Sequence, residues 1–239
     1  MSPYYQHRRP LGHGKSNPAD APAKVRDAAS MIIWRNSRKR TEVLMGRRTR
    51  RAAFLPDFFV FPGGRIDPAD RTVRAAAPLD SAVISRMGVR RNAALALALA
   101  MTAVRETYEE TGLLLADVGD IGAVEHADWN YWKARGLAPA LHRLSYFGRA
   151  ITSPVSPIRF HARFFITRAE GLLGKLGGSG ELSELRFYPV AEVLAHMPIV
   201  DVTEFMLKRV TDYAAAPGHF ESRTPVFSYK SELPFIRYE

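Results

Sequence analysis

The chain of 239 residues contains no cysteine. Without thiols it cannot form a disulfide scaffold, a thiolate zinc site, an iron–sulfur cluster or a cysteine nucleophile. Long hydrophobic runs are also missing, since the longest nearly apolar stretch, Ala93–Val104, has 12 residues and a membrane-spanning helix needs about 20. Residues 1–24 lack the apolar segment of a secretory signal. The sequence therefore predicts a cytoplasmic protein with no membrane partner.

Acidic residues are scarce in the first 100 positions. This part carries 19 Lys or Arg against 7 Asp or Glu, whereas residues 101–239 carry 15 against 17. The densest basic cluster lies between Arg35 and Arg51. Such a cluster favours an anionic partner, for example a phosphate-bearing metabolite or nucleic acid. A solvated arginine-rich surface explains the same charge without a ligand, and composition alone does not separate the two.

The hydrophobic pattern predicts strands interleaved with helices. With 46% hydrophobic and 24% charged residues, the composition is that of a folded domain. Strands are expected at 28–34, 42–46, 58–61, 159–167 and 185–190, and helices at 79–87, 93–111, 191–196 and 202–215. Residues 1–27 are interpreted as an extended N-terminal arm, and the tail from Pro217 shows no clear period. The order of elements indicates a mixed α/β architecture.

The segment Val104–Leu113, VRETYEETGL, carries the most informative residues. On a helix, Glu106, Glu109 and Glu110 share one face, because they are spaced i, i+3 and i+4. Like charges at this spacing repel unless a cation lies among them, and Mg²⁺ prefers carboxylate oxygens. Arg105 lies about 100° round the helix from Glu106, so it cannot neutralise all three. Taken alone, the segment also fits a solvated acidic face.

A second motif precedes this helix, where a predicted strand ends in FPGG, Phe61–Gly64. FPGG followed by REXXEEXGU resembles the motif of the Nudix hydrolases. The matching residues are Gly64, Arg105, Glu106, Glu109, Glu110, Gly112 and Leu113. The resemblance implies an α+β Nudix fold, with a mixed sheet between helices and a loop–helix–loop motif. It also implies a Nudix domain at 28–200, on which a C-terminal helix and tail, 201–239, would pack.

The chain departs from the family motif in two places. The motif has five residues between its glycine and its first glutamate, whereas 32 residues separate Gly64 from the corresponding position, Leu97. Because the motif's first glutamate helps to hold the motif's arginine, its loss leaves the partner of Arg105 unknown. Thr107 also replaces an aliphatic residue. The long helical insertion, about 65–92 and beginning GRIDPAD, resembles the branch that includes acyl-coenzyme A diphosphatases.

The resemblance implies a metal-dependent hydrolase that cleaves the diphosphate of a nucleoside diphosphate-linked small molecule, with coenzyme A or an acyl-coenzyme A as candidate substrates. The implied cofactor is Mg²⁺ or Mn²⁺, with ligands expected from the Gly64 carbonyl, Glu106, Glu109 and Glu110. Arg105 would orient the glutamates. Candidates for a general base are Glu181 and Glu184, beside a glycine-rich loop at 171–180. Arginine forks suit phosphate oxygens, and the candidates for that role are Arg47, Arg48 and Arg65.

Several alternatives remain open at this point. A Nudix enzyme acting on capped or 5′-diphosphorylated RNA would use the same chemistry, and a non-catalytic Nudix domain would bind a nucleotide without cleaving it. The insertion either lines the substrate pocket with its arginines or only packs on the outside of the domain and extends the core with its apolar end. A homodimer is compatible with the sequence, which contains nothing that decides it.

Overall fold

The computed structural model describes residues 23–38, 40–89, 92–217, 223–230 and 232–239. Most of the expected N-terminal arm, residues 1–22, lies outside these ranges. The strands are β1 (Val25–Ser37), β2 (Arg40–Arg48), β3 (Phe59–Val60), β4 (Gly63–Arg65), β5 (Leu113–Leu114), β6 (Ala116–Val118), β7 (Leu137–Pro139), β8 (Ser145–Ile151), β9 (Arg159–Arg168), β10 (Leu173–Gly174), β11 (Leu182–Pro189), β12 (Pro225–Lys230) and β13 (Leu233–Tyr238). The helices are α1 (Ser81–Arg86), α2 (Ala93–Thr111), α3 (Ala127–Lys133), α4 (Val190–His196) and α5 (Asp201–Ala215).

Nine strands of the described ranges form one mixed sheet. Its main path runs β11-β2-β1-β9-β8-β12-β13, while β3 joins β2 and β4 joins β1. Strand β1 pairs in parallel with β9 and antiparallel with both β2 and β4. The pairing with β4 sets Gly64 opposite Ala29. The glycine segment of the FPGG motif is therefore fixed by the long strand at the centre of the sheet.

Strand β1 contributes to two hydrophobic cores, because alternate side chains of a strand point to opposite faces of the sheet. Met31 and Ile33 pack in a cluster with α2, whereas Ile32 and Trp34 pack in a cluster with α4 and α5. Helices thus cover both faces, which confirms the expected α+β architecture with a mixed sheet between helices. Among the described residues, no helix has the length and apolar character needed to cross a membrane.

Helix α2 has the bounds predicted from the sequence, Ala93–Thr111. At its start, the Asn92 side chain accepts a hydrogen bond of 2.9 Å from the Leu95 N–H and so caps the helix. At its end, Gly112 has a φ of 72°, a left-handed conformation that favours glycine. Most of the helix is buried against the sheet and the insertion. The last turns, which carry the motif glutamates, are therefore held at a defined place.

The insertion is part of the hydrophobic core. It contains a short 3₁₀ helix, Pro68–Arg71, followed by α1. Val73, Val83 and Met87 are buried in the same cluster as α2. These contacts show that the insertion extends the core, because its apolar side chains cover part of the helix that carries the motif.

Three parts of the fold differ from the sequence-based expectations. The strand expected to stop at FPGG resumes at once, because Gly63–Arg65 pairs with β1. The region 116–158, where the pattern predicts no regular element, contains α3 and the central strand β8. Gly148 weakens the hydrophobic pattern of β8. The pairing of β8 with β9 is also irregular in register between Tyr146 and Gly148. The aperiodic tail forms the hairpin β12–β13, whose outer strand is exposed on both faces.

The packing of the insertion predicts that Met87→Ala destabilises the protein by about 2–5 kcal/mol, since Met87 is fully buried and its removal leaves a cavity. Urea unfolding of the full chain measures this change. Leu97→Ala is the matched control, because Leu97 lies on α2 with 36% of its surface exposed and should change stability by no more than about 0.5 kcal/mol. Equal stabilities of M87A and the wild type would contradict this account of the insertion.

Candidate active site

The end of α2 and the glycine strand β4 form one wall of the site. The Gly63 N–H donates a hydrogen bond of 2.8 Å to the Glu110 carboxylate. Gly64 lies directly against Glu106, and a Cβ added at Gly64 would be 2.2 Å from a Glu106 carboxylate oxygen. A side chain at this position would displace the Glu106 carboxylate, so glycine leaves that carboxylate in place. The two glycines of the FPGG motif therefore place backbone atoms in contact with the motif carboxylates.

Arg105 is buried within this wall and binds several acceptors. Its Nη1 donates to Glu109 at 3.1 Å, and its Nη2 donates to Glu106 at 2.9 Å and to the Arg65 carbonyl at 3.1 Å. Glu110 is contacted instead by the Gly63 N–H. This arrangement agrees with the expectation that one arginine cannot neutralise all three glutamates.

The partner of Arg105 that the sequence left unknown is Asp70, in the 3₁₀ helix of the insertion. Arg105 donates to the two Asp70 carboxylate oxygens at 2.8 Å from Nε and 3.1 Å from Nη2. Asp70 also accepts hydrogen bonds from the Thr102 hydroxyl at 2.8 Å and from the Trp129 indole at 3.3 Å. The sequence analysis missed Asp70. The available signal was the spacing from Gly64, because five residues, 65–69, separate it from Asp70, as in the family motif between the glycine and the first acid.

The three motif carboxyls have shifted pKa values. Burial raises the pKa of Glu106 to about 7, against the charge of Arg105, and Glu109 adds to the rise. Burial raises the pKa of Glu110 to about 8, although the hydrogen bond from Gly63 acts in the opposite direction. Burial and then the charge of Asp128 raise the pKa of Glu109. Each shift means that the environment disfavours the ionised form, so an additional positive charge would stabilise the site.

The wall opens into a cavity of about 1120 Å³. Glu106, Glu109 and Glu110 line it, together with Glu181 and Asp128. Asp128, from α3, is a second acidic residue that the sequence analysis missed, because no element was expected there. Basic side chains also line the cavity: Lys24, Arg26, Arg48, Arg65, Arg71 and Arg105. The remaining surface includes a set of aromatic side chains: Phe54, Phe61, Phe160, Phe164, Phe227 and Tyr229.

The structure separates the remaining site residues predicted from the sequence into two groups. Arg48, Arg65 and Glu181 line the cavity, as expected for substrate-binding or catalytic residues. Arg47 and Glu184 are not among the lining residues and instead pair with each other at 3.0 Å. Arg47 also pairs with Asp57 at 3.3 Å. The structure therefore brings together two of the three candidate arginines and one of the two candidate bases.

The donor chemistry of the site fits a hard divalent cation. The lining carboxylates provide oxygen ligands, and because burial raises the pKa values of Glu106 and Glu110, a bound cation would stabilise their ionised forms. In the part of the chain that the structure describes, no group of three or more His, Asp or Glu side chains already converges as a metal site. Arg105 engages Glu106 and Glu109 directly. A cation would bind by competing with that contact.

Comparisons with known proteins add an independent line of support. No protein-family model matches the chain, and no curated protein matches it in sequence. Among solved structures, the Nudix hydrolase from Alicyclobacillus acidocaldarius is 30% identical, with a TM-score of 0.60, and the match covers 80% of this chain and 92% of that protein. This chain belongs to the Nudix hydrolase family.

Two further solved structures resemble this Nudix hydrolase at a TM-score of 0.48. One is the MutT protein from Bacillus halodurans, 14% identical, with 90% of this chain and 98% of that protein covered. The other is the Nudix domain of Shewanella oneidensis NrtR complexed with ADP ribose, 11% identical, with 84% and 94% covered. Family membership confirms the interpretation of the REXXEEXGU motif. It also identifies the protein as a hydrolase that acts on phosphoanhydride bonds.

The pKa values predict that the metal-free enzyme loses stability as the pH rises. Glu106 and Glu110 have pKa values of about 7 and 8 in the folded protein, against 4.5 when unperturbed. Between pH 4.5 and 8 the folded state thus binds more protons than the unfolded state, so the free energy of unfolding falls. Thermal unfolding in a chelator should show a melting temperature that falls steadily across this window.

Glu110→Gln should flatten that pH dependence, because it removes one of the two titrating carboxyls. Glu192→Gln is the matched control, since Glu192 pairs with Arg186 at the surface and should leave the dependence unchanged. If E110Q and the wild type show the same slope between pH 4.5 and 8, the buried carboxyl does not titrate as described.

Proposed function

We propose that this Nudix hydrolase cleaves the diphosphate of a bulky nucleoside diphosphate-linked metabolite of the coenzyme A class, with Mg²⁺ or Mn²⁺ as cofactor. The observation that carries the proposal is the composition of the cavity. Carboxylates, arginines and an apolar aromatic surface line the same space. A diphosphate that joins a nucleoside to an extended organic arm matches this lining, because its phosphates suit the arginines and its organic arm suits the aromatic surface.

The size of the cavity supports a large substrate. Its volume of about 1120 Å³ slightly exceeds the upper end of the range of roughly 300–1,000 Å³ that is typical of small-molecule sites. A mononucleotide would leave much of this space unfilled. The aromatic side chains from β9 and β12, such as Phe160, Phe164 and Phe227, offer apolar surface for the organic arm. The resemblance of the insertion to acyl-coenzyme A diphosphatases points to the same substrate class.

The motif residues are assigned as follows. Glu106, Glu109 and Glu110 hold the divalent cation together with the Gly64 carbonyl, and Arg105 orients Glu106 and Glu109 through the contacts described above. When bound, the cation lowers the pKa of water and neutralises phosphate oxygens. Arg48, Arg65 and Arg71 bind the remaining phosphate charge with guanidinium forks.

Glu181 is the proposed general base. It lines the cavity, and it is close enough to Glu109 and Glu110 for its charge to contribute to their raised pKa values. Its own carboxylate is exposed and can accept a proton from water in the cavity. Glu184 is engaged by Arg47 instead. The same geometry makes Glu181 the stronger of the two candidates.

Ion pairs within the basic cluster argue against a general RNA-binding surface. Arg35 pairs with Glu42 at 2.7 Å, and both Arg47 and Arg50 pair with Asp57. These contacts neutralise part of the positive charge that suggested nucleic acid. We therefore do not propose RNA as the substrate, and the substrate panel below includes an RNA to test this.

A substrate panel tests the proposed function. Coenzyme A, an acyl-coenzyme A, NADH, ADP-ribose and 5′-diphosphorylated RNA are incubated with Mg²⁺ or Mn²⁺, and the products are resolved by mass. We expect coenzyme A or its acyl derivative to be cleaved fastest. Glu109→Gln and Glu110→Gln should each reduce turnover by about 100-fold or more, because they weaken the stabilisation of charge in the transition state. Glu192→Gln serves as the control, and faster cleavage of RNA would contradict the proposed substrate.

The two candidate bases are separated by paired substitutions. Glu181→Gln should lower kcat by about 10²–10⁴-fold, the contribution typical of a general base. Glu184→Gln should remain within a few-fold of the wild type, since it removes only a surface ion pair. The reverse order of effects would assign the base to Glu184.

A further inference from the structure

We propose that Lys24 and Arg26, at the start of β1, bind a further phosphate group of the substrate, the 3′-phosphate on the adenosine ribose of coenzyme A. The proposal rests on the proposed function, in that the substrate is taken to be a diphosphate of the coenzyme A class. It adds an anion site at a different end of the cavity from the carboxylates. It also predicts that the enzyme distinguishes coenzyme A from its 3′-dephospho form.

Lys24 and Arg26 present two positive charges to the cavity, which both residues line. Successive side chains of an extended chain alternate between its two faces, so residues 24 and 26 share a face and lie about 7 Å apart. The parallel register sets Arg26 beside Phe160 of β9, another residue of the cavity wall. Both basic residues are exposed. An anion in the cavity can therefore meet both side chains at once.

The charges of these two residues are not neutralised by an acid. Within the described ranges, no carboxylate forms an ion pair with Lys24 or Arg26. Asp27 is next to Arg26 in sequence, but it points to the opposite face of β1 and pairs with Arg163. Several arginines of the basic cluster at 35–51, in contrast, are in ion pairs. The two unpaired cations therefore attract an anion more strongly than most of that cluster does.

The start of β1 is held at a defined place. The Arg159 Nη1 donates a hydrogen bond of 3.2 Å to the Ala23 carbonyl, and Val25 begins the parallel ladder with β9. On its other side, β1 pairs with β4 only from Ala28 onwards. In the part of the chain that the structure describes, the edge of residues 25–27 that faces away from β9 is unpaired and lies at the cavity. The backbone that carries the two basic side chains is thus both ordered and open to a ligand.

The distance from the carboxylates suits a phosphate on the ribose. Gly64, which lies against Glu106, is set opposite Ala29 of β1. Arg26 precedes Ala29 by three residues, about 10 Å along the strand. The diphosphate and the 3′-phosphate of coenzyme A are joined through one ribose, and the long side chain of Arg26 can extend back along the strand. A diphosphate held at the carboxylates would therefore place the ribose phosphate within reach of Arg26.

The pair of side chains also matches the charge of this group. A phosphate monoester carries a charge of about −1.5 to −2 at pH 7, which one guanidinium and one ammonium balance. The Arg26 fork can bind two phosphate oxygens, and Lys24 acts as a flexible point charge. Arg65 belongs to the other end of the cavity, because its carbonyl accepts a hydrogen bond from Arg105. The two groups of basic residues would thus bind different phosphates of one substrate.

The test compares coenzyme A with 3′-dephospho-coenzyme A, two substrates that differ only in the ribose phosphate. With Mg²⁺, we expect the wild-type full chain to cleave coenzyme A with a kcat/KM about 10–100-fold higher, the range for hydrogen bonds to a charged group. In the double variant Lys24→Gln, Arg26→Gln this ratio should fall to within about threefold, mainly because the KM for coenzyme A rises. Equal cleavage of both substrates by the wild type, or an unchanged ratio in the double variant, would overturn the proposal.

A second double variant, Lys133→Gln with Lys230→Gln, is the matched control. It removes two exposed positive charges that are outside the cavity wall, so it should keep the wild-type ratio. Arg26→Lys should keep part of the ratio, because it preserves the charge and loses the fork. If both double variants lose the ratio equally, the net charge of the protein sets the preference, and the assignment to Lys24 and Arg26 is wrong.

Binding without turnover separates this proposal from the proposed function. Adenosine 3′,5′-bisphosphate and AMP differ in the same phosphate and are titrated calorimetrically into the wild type and the variant K24Q/R26Q. We expect the bisphosphate to bind the wild type about 10–100-fold more tightly than AMP, and the variant to lose this advantage. Equal affinities in the wild type would overturn the proposal whatever the enzyme cleaves. Tight binding of the bisphosphate without cleavage of any diphosphate would support the phosphate site and contradict the proposed function instead.

Discussion

The charge of Arg105 lies inside the protein, where it can be kept only if each of its N–H groups finds an acceptor. Burying a cation without such partners costs several kcal/mol. Asp70 satisfies one side of the guanidinium, and Glu106 and Glu109 satisfy the other. This requirement ties three elements of distant sequence into one unit: the insertion, the motif helix and α3, whose Trp129 also donates to Asp70. The geometry of the carboxylates, and hence the chemistry of the site, depends on that unit.

The uneven distribution of charge along the chain has a related explanation. The first 100 residues have an excess of arginine, while the motif glutamates come later. In the folded protein, part of the excess is neutralised by acids such as Asp57 and Glu184. Arg48, Arg65 and Arg71 remain at the cavity that the glutamates line. A diffuse basic surface is thus replaced by a small set of arginines beside a carboxylate centre, an arrangement suited to a compact polyanion.

Local patterns in the sequence were sufficient for the elements that carry strong periodicity or clear caps. Helix α2 was predicted with its bounds because Asn92 and Gly112 mark its ends, and the β1–β2 hairpin because its strands are apolar and the turn is polar. Strand β8 could not be predicted, since Gly148 interrupts a pattern that becomes regular only when paired with β9. The hairpin β12–β13 was missed because its outer strand is exposed on both faces.

The site was predictable to the extent that it resides in one motif. Arg105 and the three glutamates follow from VRETYEETGL, but Asp70 lies 35 residues away from Arg105 and the Arg47–Glu184 pair spans 137 residues. The spacing from Gly64 marks Asp70 as the first acid of the motif, but no local signal reports the Arg47–Glu184 pair. The central claim is that the glutamates bind a divalent cation while Asp70 keeps its contact with Arg105. Anomalous diffraction from crystals soaked in Mn²⁺ tests it most directly. The account predicts a peak beside Glu106, Glu109 and Glu110 with Arg105 still on Asp70. A peak elsewhere, or none at these carboxylates, would contradict it.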